Sequence, residues 1–169
     1  MNWNGLELPD KPRLLDLFCG AGGASMGYYR AGFEVVGVDI KPQPHYPFEF
    51  HQGDALTYPL EGFDAYHASP PCKADNQGVL CRPKSENARA KYPRLIDPTR
   101  GRLLVTGKPF VIENVPLARR QLQNPIMLCG TMFGLKVRRH RYFELHGFEI
   151  VMFPASCGCK GRAGFTNAS

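Results

Sequence analysis

The hydrophobic positions of this chain fall into short apolar runs that are separated by polar stretches containing glycine and proline. Apolar runs of four to eight residues that are bounded by turn residues predict buried β-strands. Such runs lie at 13–18, 33–40, 63–69 and 108–115, and the stretch 139–153 predicts one or two strands more.

Helical patterns occupy part of the sequence between these runs. Residues 24–32 predict a short helix, and residues 94–107 predict a second helix in the part that follows Pro98. The stretch 70–93 is polar, contains prolines and has no period, so it predicts a long loop. Strands that alternate with helices predict an α/β fold with a doubly wound, mostly parallel sheet.

The length and composition are those of one globular domain. The chain has 169 residues, of which 43% are hydrophobic and 21% are charged. No apolar stretch is long enough to cross a membrane, and the first residues do not resemble a signal peptide. We therefore expect a cytoplasmic protein without a membrane partner.

Charge is distributed unevenly along the chain. Residues 1–69 hold four Lys/Arg and nine Asp/Glu, a balance of −5, whereas residues 70–141 hold fifteen and four, a balance of +11. This asymmetry favours a polyanion such as nucleic acid as the partner of the second part. A solvated basic face without such a partner is the alternative.

The six cysteines are scattered and do not resemble the disulfide framework of a small secreted protein. Cys157 and Cys159 flank one glycine, and His146 lies upstream, which is a weak metal-ligand pattern. Because no second pair of ligands is apparent in the sequence, ordinary thiols are favoured and no metal is predicted.

A glycine-rich stretch, "DLFCGAGG" at 16–23, lies between the first predicted strand and the first predicted helix. Its glycines let the backbone approach a ligand closely, and Asp39 ends the next strand, where an acid can bind ribose hydroxyls. The dinucleotide pattern Gly-x-Gly-x-x-Gly is absent. Acids at Asp16 and Asp39 suit a nucleoside with a cationic tail, such as S-adenosylmethionine, and a tight turn without a ligand is the alternative.

Three further strand ends carry reactive or charged residues. In "SPPC", two prolines stiffen the backbone before Cys72, so its thiol is a candidate nucleophile. "ENV" places Glu113 at the end of a later strand, and "VRRHRYFE" is predicted to put Arg139 and Arg141 on one face of another. A buried glutamate needs a partner, and a base-ring nitrogen would serve.

These motifs give the chain a resemblance to the DNA cytosine-5 methyltransferases, most closely to their small phage-encoded versions. The resemblance runs from about residue 13 to residue 146. The motifs occur in the family's order: DLFCGAGG, VDI, GDAL, SPPC, ENV and RRHR.

The resemblance implies a Rossmann-like S-adenosylmethionine-dependent methyltransferase fold and a reaction at carbon 5 of cytosine in DNA. Cys72 would add covalently to carbon 6, Glu113 would contact the ring nitrogen and amino group, and Arg141, supported by Arg139, would hold the carbonyl oxygen. Pro71 and Asn114 complete the expected substrate-binding set.

The resemblance also implies the cofactor-binding residues. Asp16 would lie near the ammonium of S-adenosylmethionine, Asp39 would bind its ribose, Ile40 would pack on adenine and Asp54 would accept a hydrogen bond from the adenine amino group. The rest of the expected set wraps the methionine part or completes the pocket: Phe18, Cys19, Gly20, Ala21, Gly22, Gly23, Ala55 and Pro70.

The chain departs from the family pattern in three respects. Lys73 and Val137 stand where the family usually has glutamine. Residues 1–169 are expected to form one catalytic domain without a recognisable target-recognition region or closing C-terminal segment, and a second chain could supply them. Two alternatives therefore stay open, an RNA cytosine methyltransferase and an inactive nucleic-acid-binding relic.

Overall fold

The computed structural model describes residues 11–71, 94–148 and 155–159. Within these ranges, seven strands form one sheet. They are β1 (Arg13–Leu17), β2 (Glu34–Asp39), β3 (Glu49–Gln52), β4 (Ala65–Ala68), β5 (Phe110–Asn114), β6 (Ile126–Cys129) and β7 (His140–His146).

In the described part of the chain, two α-helices and two short 3₁₀ helices accompany the sheet. The α-helices are α1 (Gly23–Arg30) and α2 (Ile96–Val105), and the 3₁₀ helices span Pro116–Gln121 and Gly130–Phe133. No helix in the described ranges is long and apolar enough to cross a membrane.

The strand order is β3-β2-β1-β4-β5-β7-β6. The first five of these strands pair in parallel, and β7 runs antiparallel to both of its neighbours, β5 and β6. The chain winds outward in one direction from β1 to β3 and in the other from β4, so the order reverses between β1 and β4. The predicted α/β fold with a doubly wound, mostly parallel sheet is confirmed, and ligands of such sheets bind at the reversal point.

The core explains why the central strands read as continuous apolar runs. Leu15, Leu17, Val36, Val38 and Ile112 are all at most 1% exposed. Strands of a parallel sheet are covered on both faces, so the side chains at successive positions are all buried and apolar. This pattern made β1, β2, β4 and β5 predictable.

Three elements differ from the prediction. Helix α2 begins at Ile96, so Pro98 lies in its first turn and not before it. Proline is tolerated there, because the N–H that it lacks would have no helical partner. Strands β3 and β6 were not predicted, since each has only four residues and β3 is largely polar and exposed. Residues 72–93 of the predicted loop and 149–153 of the last apolar run lie outside the described residues.

A buried ion pair holds β7 against α2. The Arg100 guanidinium donates from Nε to Glu144 Oε1 at 2.7 Å and from Nη2 to Glu144 Oε2 at 2.8 Å. The two side chains are 8% and 4% exposed. Gln123 N–H also donates to Glu144 Oε2, at 2.8 Å. The hydrogen bonds that Arg100 donates to Glu144 raise the pKa of Arg100, so the guanidinium stays charged and the pair fixes β7 relative to the helix.

We predict that Glu144→Gln lowers the free energy of unfolding by about 3–5 kcal/mol, because Arg100 loses its buried charged partner and keeps only the exposed Asp97. Glu34→Gln is the matched control, since the Arg13–Glu34 pair is 40% and 55% exposed. That substitution should cost at most about 1 kcal/mol. Urea denaturation measures both variants, and equal losses would show that the buried pair has no special weight.

Candidate functional site

The candidate residues gather at one edge of the sheet, where the parallel strands end. The glycine-rich loop follows β1, Asp39 ends β2, Pro70 follows β4 and Asn114 ends β5. The strand order brings these ends together on both sides of the reversal point between β1 and β4. The backbone topology therefore assembles a site from motifs that lie almost 100 residues apart.

The loop after β1 has an unusual backbone. Phe18, Gly20 and Gly22 have φ angles of 59°, 51° and 84°, in the left-handed region. A Cβ atom on Gly22 would lie 2.9 Å from Pro47 Cδ and 3.0 Å from the Tyr46 ring. Glycine is therefore required at Gly22 both by its dihedral angle and by space. Left-handed conformation at Phe18 costs energy, as is common at ligand sites.

The Asp39 carboxylate fixes the loop to the end of β2. Oδ2 accepts from the Gly20 N–H at 3.0 Å, and Oδ1 accepts from the Lys41 N–H at 2.9 Å. The side chain is only half-buried. Because each carboxylate oxygen can accept more than one hydrogen bond, Asp39 can also accept from ribose hydroxyls.

Ile40 and the end of β3 lie beside Asp39. Ile40 is 67% exposed, which presents an apolar side chain to solvent at the sheet edge. Asp54 is exposed, and its Oδ1 accepts from the Leu56 N–H at 2.9 Å, while Ala55 is buried. The Gly53 N–H donates to the Asp39 carbonyl at 3.0 Å, so the segments holding Asp39 and Asp54 are joined directly.

Asp16 lies beneath the loop and is fully buried. Its Oδ2 accepts from the Ser25 hydroxyl, whose own oxygen accepts from the Tyr46 hydroxyl at 2.7 Å. Its Oδ1 has no hydrogen-bond partner among the described residues. Burial raises the pKa of Asp16 above its ordinary value. Asp16 thus supports the loop and α1 from below, and its contact with a ligand ammonium stays a prediction.

A second polar chain under the loop was missed from the sequence. His67, on β4, is 2% exposed; its Nδ1 lies 2.9 Å from the Tyr28 hydroxyl and its Nε2 lies 2.8 Å from Ser69 Oγ. It links α1 to the segment just before Pro70. A lone histidine in an apolar strand gives no local signal, so only the packing reveals this role.

Cys19 is a packing residue of the loop. It is 8% exposed, and its N–H donates to the Val38 carbonyl at 3.1 Å. Burial raises the pKa of its thiol to about 12, so it is not a reactive thiolate at neutral pH. Ala21 and Gly23 complete the loop; Gly23 is the first residue of α1.

Asn114 holds the segment that leads to the expected nucleophile. Its Nδ2 donates to the Pro70 carbonyl at 3.0 Å, and its Oδ1 accepts from the Val115 N–H at 2.9 Å. Asn114 is 3% exposed and Pro70 is buried, whereas Pro71 is exposed. Asn114 therefore positions the Pro70–Pro71 turn, and Cys72 itself lies outside the described residues.

The structure brings Glu113 and Arg141 together. Arg141 Nε lies 2.6 Å from Glu113 Oε1, and the side chains are 23% and 18% exposed, respectively. They come from adjacent antiparallel strands, in which Glu113 is paired with Phe143. Arg141 also donates to the His140 carbonyl at 2.9 Å. A carboxylate and a guanidinium side by side offer an acceptor and donors to one planar ligand.

Arg139 occupies a different place from the one predicted. Strand β7 begins at His140, so Arg139 precedes the strand and does not share a strand face with Arg141. Its side chain is exposed, like those of its basic neighbours Lys136 and Arg138. Val137 packs closely against Gly130. A Cβ atom added to Gly130 would lie 2.5 Å from the Val137 carbonyl oxygen, so a larger residue at Gly130 would displace this segment.

A separate cavity of about 610 Å³ lies at the opposite edge of the sheet. It is lined by residues near the amino ends of β4 and β5 and by the end of α2, including Phe63, Tyr66, Thr106 and Lys108. No predicted site residue lines it. It is therefore not part of the candidate site.

Comparison with known proteins yields matches to solved structures. No protein-family model and no curated protein matches the sequence. The structure of WbdD matches 78% of this chain and 35% of its own, with 17% identity and a TM-score of 0.45. This chain thus spans about a third of WbdD.

Two further solved structures cover most of this chain. A Pyrococcus horikoshii protein matches 80% of this chain and 81% of its own, with 18% identity and a TM-score of 0.47. The Burkholderia thailandensis 1,6-didemethyltoxoflavin-N1-methyltransferase, crystallised with 1,6-didemethyltoxoflavin and S-adenosylhomocysteine, matches 80% and 70%, with 13% identity and a TM-score of 0.44. Matches at this level say nothing about substrate. The strand order gives this chain a Rossmann-like fold consistent with that of class-I methyltransferases.

We predict that Gly22→Ala lowers the free energy of unfolding by about 1–2 kcal/mol or more, because the left-handed φ and the contact with Pro47 both oppose a Cβ. Gly23→Ala is the matched control, since no atom lies within 4 Å of its Cβ position. The free energy of unfolding of that variant should equal or slightly exceed that of the wild type. A Gly22→Ala protein as stable as Gly23→Ala in urea denaturation would contradict the loop conformation.

Proposed function

We propose that this chain transfers a methyl group from S-adenosylmethionine to carbon 5 of cytosine in DNA. The observation that carries the proposal is the Glu113–Arg141 pair, 2.6 Å apart at the sheet edge that also holds the glycine-rich loop. Asn114, next to Glu113, donates a hydrogen bond to the Pro70 carbonyl. This bond holds the segment that leads to Cys72 close to the Glu113–Arg141 pair.

The loop side of the site fits S-adenosylmethionine. Asp39 has acceptor capacity for the ribose hydroxyls, the exposed Ile40 offers an apolar surface for adenine, and the exposed Asp54 can accept from its amino group. The buried Asp16 Oδ1, without a partner among the described residues, suits the ammonium end. When bound, the cofactor supplies an electrophilic methyl group on a sulfonium.

The side of the site that β5 and β7 form fits the edge of a cytosine. Glu113 is proposed to hydrogen-bond the ring at nitrogen 3 and at the exocyclic amino group, stabilising charge that moves into the ring. Arg141 is proposed to donate to the carbonyl oxygen at position 2. Their ion pair holds both groups in position before the base arrives, so little reorganisation is needed.

Cys72 is the proposed nucleophile. Its thiolate would form a bond to carbon 6, which shifts the electron pair of the carbon 5–carbon 6 double bond and makes carbon 5 nucleophilic. After carbon 5 has taken the methyl group, loss of its proton re-forms the double bond and breaks the bond to the Cys72 sulfur. The Asn114–Pro70 hydrogen bond anchors the backbone two residues before this thiol.

A duplex must release the target base for this reaction, because carbon 6 is not accessible within the stack. The exposed cations Lys136, Arg138 and Arg139 precede Arg141 directly and can contact phosphates around the extruded base. Such contacts would suit the phosphates of either nucleic acid, and the assay below compares DNA with RNA.

We predict that Glu113→Gln lowers the rate of methyl transfer to DNA by about 10²–10³-fold, because an amide cannot provide the same charge-assisted contact. The thermal midpoint should fall only slightly, because the amide is isosteric and the Glu113–Arg141 pair is more exposed than the Arg100–Glu144 pair. Glu61→Gln is the control, since Glu61 is exposed at the opposite edge and should keep the wild-type rate. A normal rate with a sharply lowered midpoint would make Glu113 a structural residue.

We predict that Cys72→Ser abolishes tritium transfer from labelled S-adenosylmethionine into DNA while leaving cofactor affinity, measured by calorimetry, nearly unchanged. DNA containing 5-fluorocytosine should trap a covalent complex with the wild type and with the control Cys81→Ser, but not with Cys72→Ser. Methylation of RNA and not of DNA would show that RNA is the substrate. Cofactor binding without transfer to either polymer would indicate an inactive relic.

A further inference from the structure

Three cysteines and one histidine converge at the β6–β7 edge of the sheet. Cys129 is the last residue of β6 and His140 is the first residue of β7, and the two are register partners across this antiparallel pair. Cys157 and Cys159 approach them from the described segment 155–159. Their one nitrogen and three sulfur ligand atoms all lie within 4.8 Å of one another.

Two of the distances between these ligand atoms are close to the edges of a zinc tetrahedron. Cys129 Sγ lies 3.6 Å from Cys159 Sγ, and His140 Nε2 lies 3.4 Å from Cys157 Sγ. Zinc binds sulfur at about 2.3 Å and imidazole nitrogen at about 2.0–2.1 Å, so the edges of its tetrahedron measure about 3.8 Å between sulfurs and about 3.6 Å between sulfur and nitrogen. These two pairs are within about 0.2 Å of those edges, and every other pair of ligand atoms lies within 4.8 Å.

A disulfide does not account for this arrangement. The cysteines of the cluster are free, and the 3.6 Å between Cys129 and Cys159 far exceeds the bond length of about 2.05 Å. Three thiols cannot all pair with one another, and a disulfide would leave the convergence of His140 unexplained. A metal ion accounts for all four groups.

Thr131 completes the surroundings of the sulfurs. Its Oγ1 lies 3.3 Å from Cys129 Sγ, 3.5 Å from Cys157 Sγ and 4.0 Å from Cys159 Sγ, and it accepts from the Gly158 N–H at 3.3 Å. A hydroxyl that donates to thiolate sulfur and is itself oriented by the backbone is the kind of outer contact that metal sites use.

We propose that Cys129, His140, Cys157 and Cys159 bind one zinc ion that fastens segment 155–159 to the ends of β6 and β7. Three thiolates and one imidazole favour Zn²⁺ over the oxygen-seeking cations Mg²⁺ and Ca²⁺. Four protein ligands leave no open position for a reactant, so the site is structural. Segment 155–159 has no helix or strand of its own, and metal binding supplies the energy that orders it.

The proposal differs from the sequence prediction of no metal, and the reason is topological. His146, the histidine that the sequence offered, lies at the other end of β7 and stacks on Phe110 at 4.8 Å. His140 takes its place, and Cys129 contributes from 28 residues before Cys157. No local spacing pattern contains these four residues.

The test is the metal content of the purified full chain, which does not depend on methyl transfer. Inductively coupled plasma mass spectrometry should find one zinc per chain. His140→Ala and Cys157→Ser should reduce this to well below 0.2 per chain, whereas the matched control His146→Ala should retain the metal. Zinc retained by His140→Ala, or lost equally by His146→Ala, would overturn the proposal.

A second measurement remains decisive if a ligand variant fails to fold. Wild-type chain stripped by chelator under reducing conditions is titrated with Co²⁺, and one equivalent should produce the intense visible bands of a tetrahedral thiolate-bound ion. Zn²⁺ should then displace them. The absence of any Co²⁺ or Zn²⁺ binding by the wild type, or a spectrum without thiolate bands, would refute the site.

Discussion

The position of β7 determines how the second half of the molecule works, and the buried Arg100–Glu144 pair fixes that position. The strand is inserted antiparallel between β5 and β6, where hydrogen bonds alone would tolerate a shift of register. A bidentate pair that is nearly fully buried opposes any shift, because moving β7 would part the buried Glu144 carboxylate from its cation. Alternation along the strand then sends His140 and Glu144 to one face and Arg141 to the other. One register therefore sets both the contact with Glu113 and the cysteine cluster.

The first half of the molecule holds its site at a cost in stability. Asp16 is buried with a raised pKa, and Phe18 adopts a left-handed conformation that glycine would adopt more easily. Asp16 lies near the end of β1, and Phe18 begins the loop that leads from this strand to α1. The rigid sheet beneath tolerates this strain because Asp39 and the chain through Ser25 and Tyr46 tie the loop down. A loop that needed only to turn the chain would not need a buried carboxylate beneath it.

Much of this arrangement could be predicted from the sequence, for a physical reason. Parallel strands are apolar throughout and end together, so a motif just after an apolar run lies at the common edge. This reasoning placed the glycine-rich loop, Asp39 and Glu113. It could not place His67, Glu144 or Cys129, whose roles come from contacts across 30 or more residues without a local period. It also began β7 one residue too early, at Arg139, and so put Arg139 on the strand face that holds Arg141.

The sheet also explains the uneven charge of the sequence. The acidic first part, residues 1–69, forms β1 to β4, and it places Asp39 at the end of β2 and Asp54 just after β3, where the proposed cofactor would bring a positive charge. The basic second part supplies the exposed cations before β7, which suit a polyanion. The proposed function, which places a sulfonium and a nucleic acid in one site, would use both fields, separated yet adjacent. The reversal of strand order between β1 and β4 provides this separation, because the chain fills one side of the crevice before it builds the other. The charge asymmetry along the sequence thus becomes an asymmetry across the site.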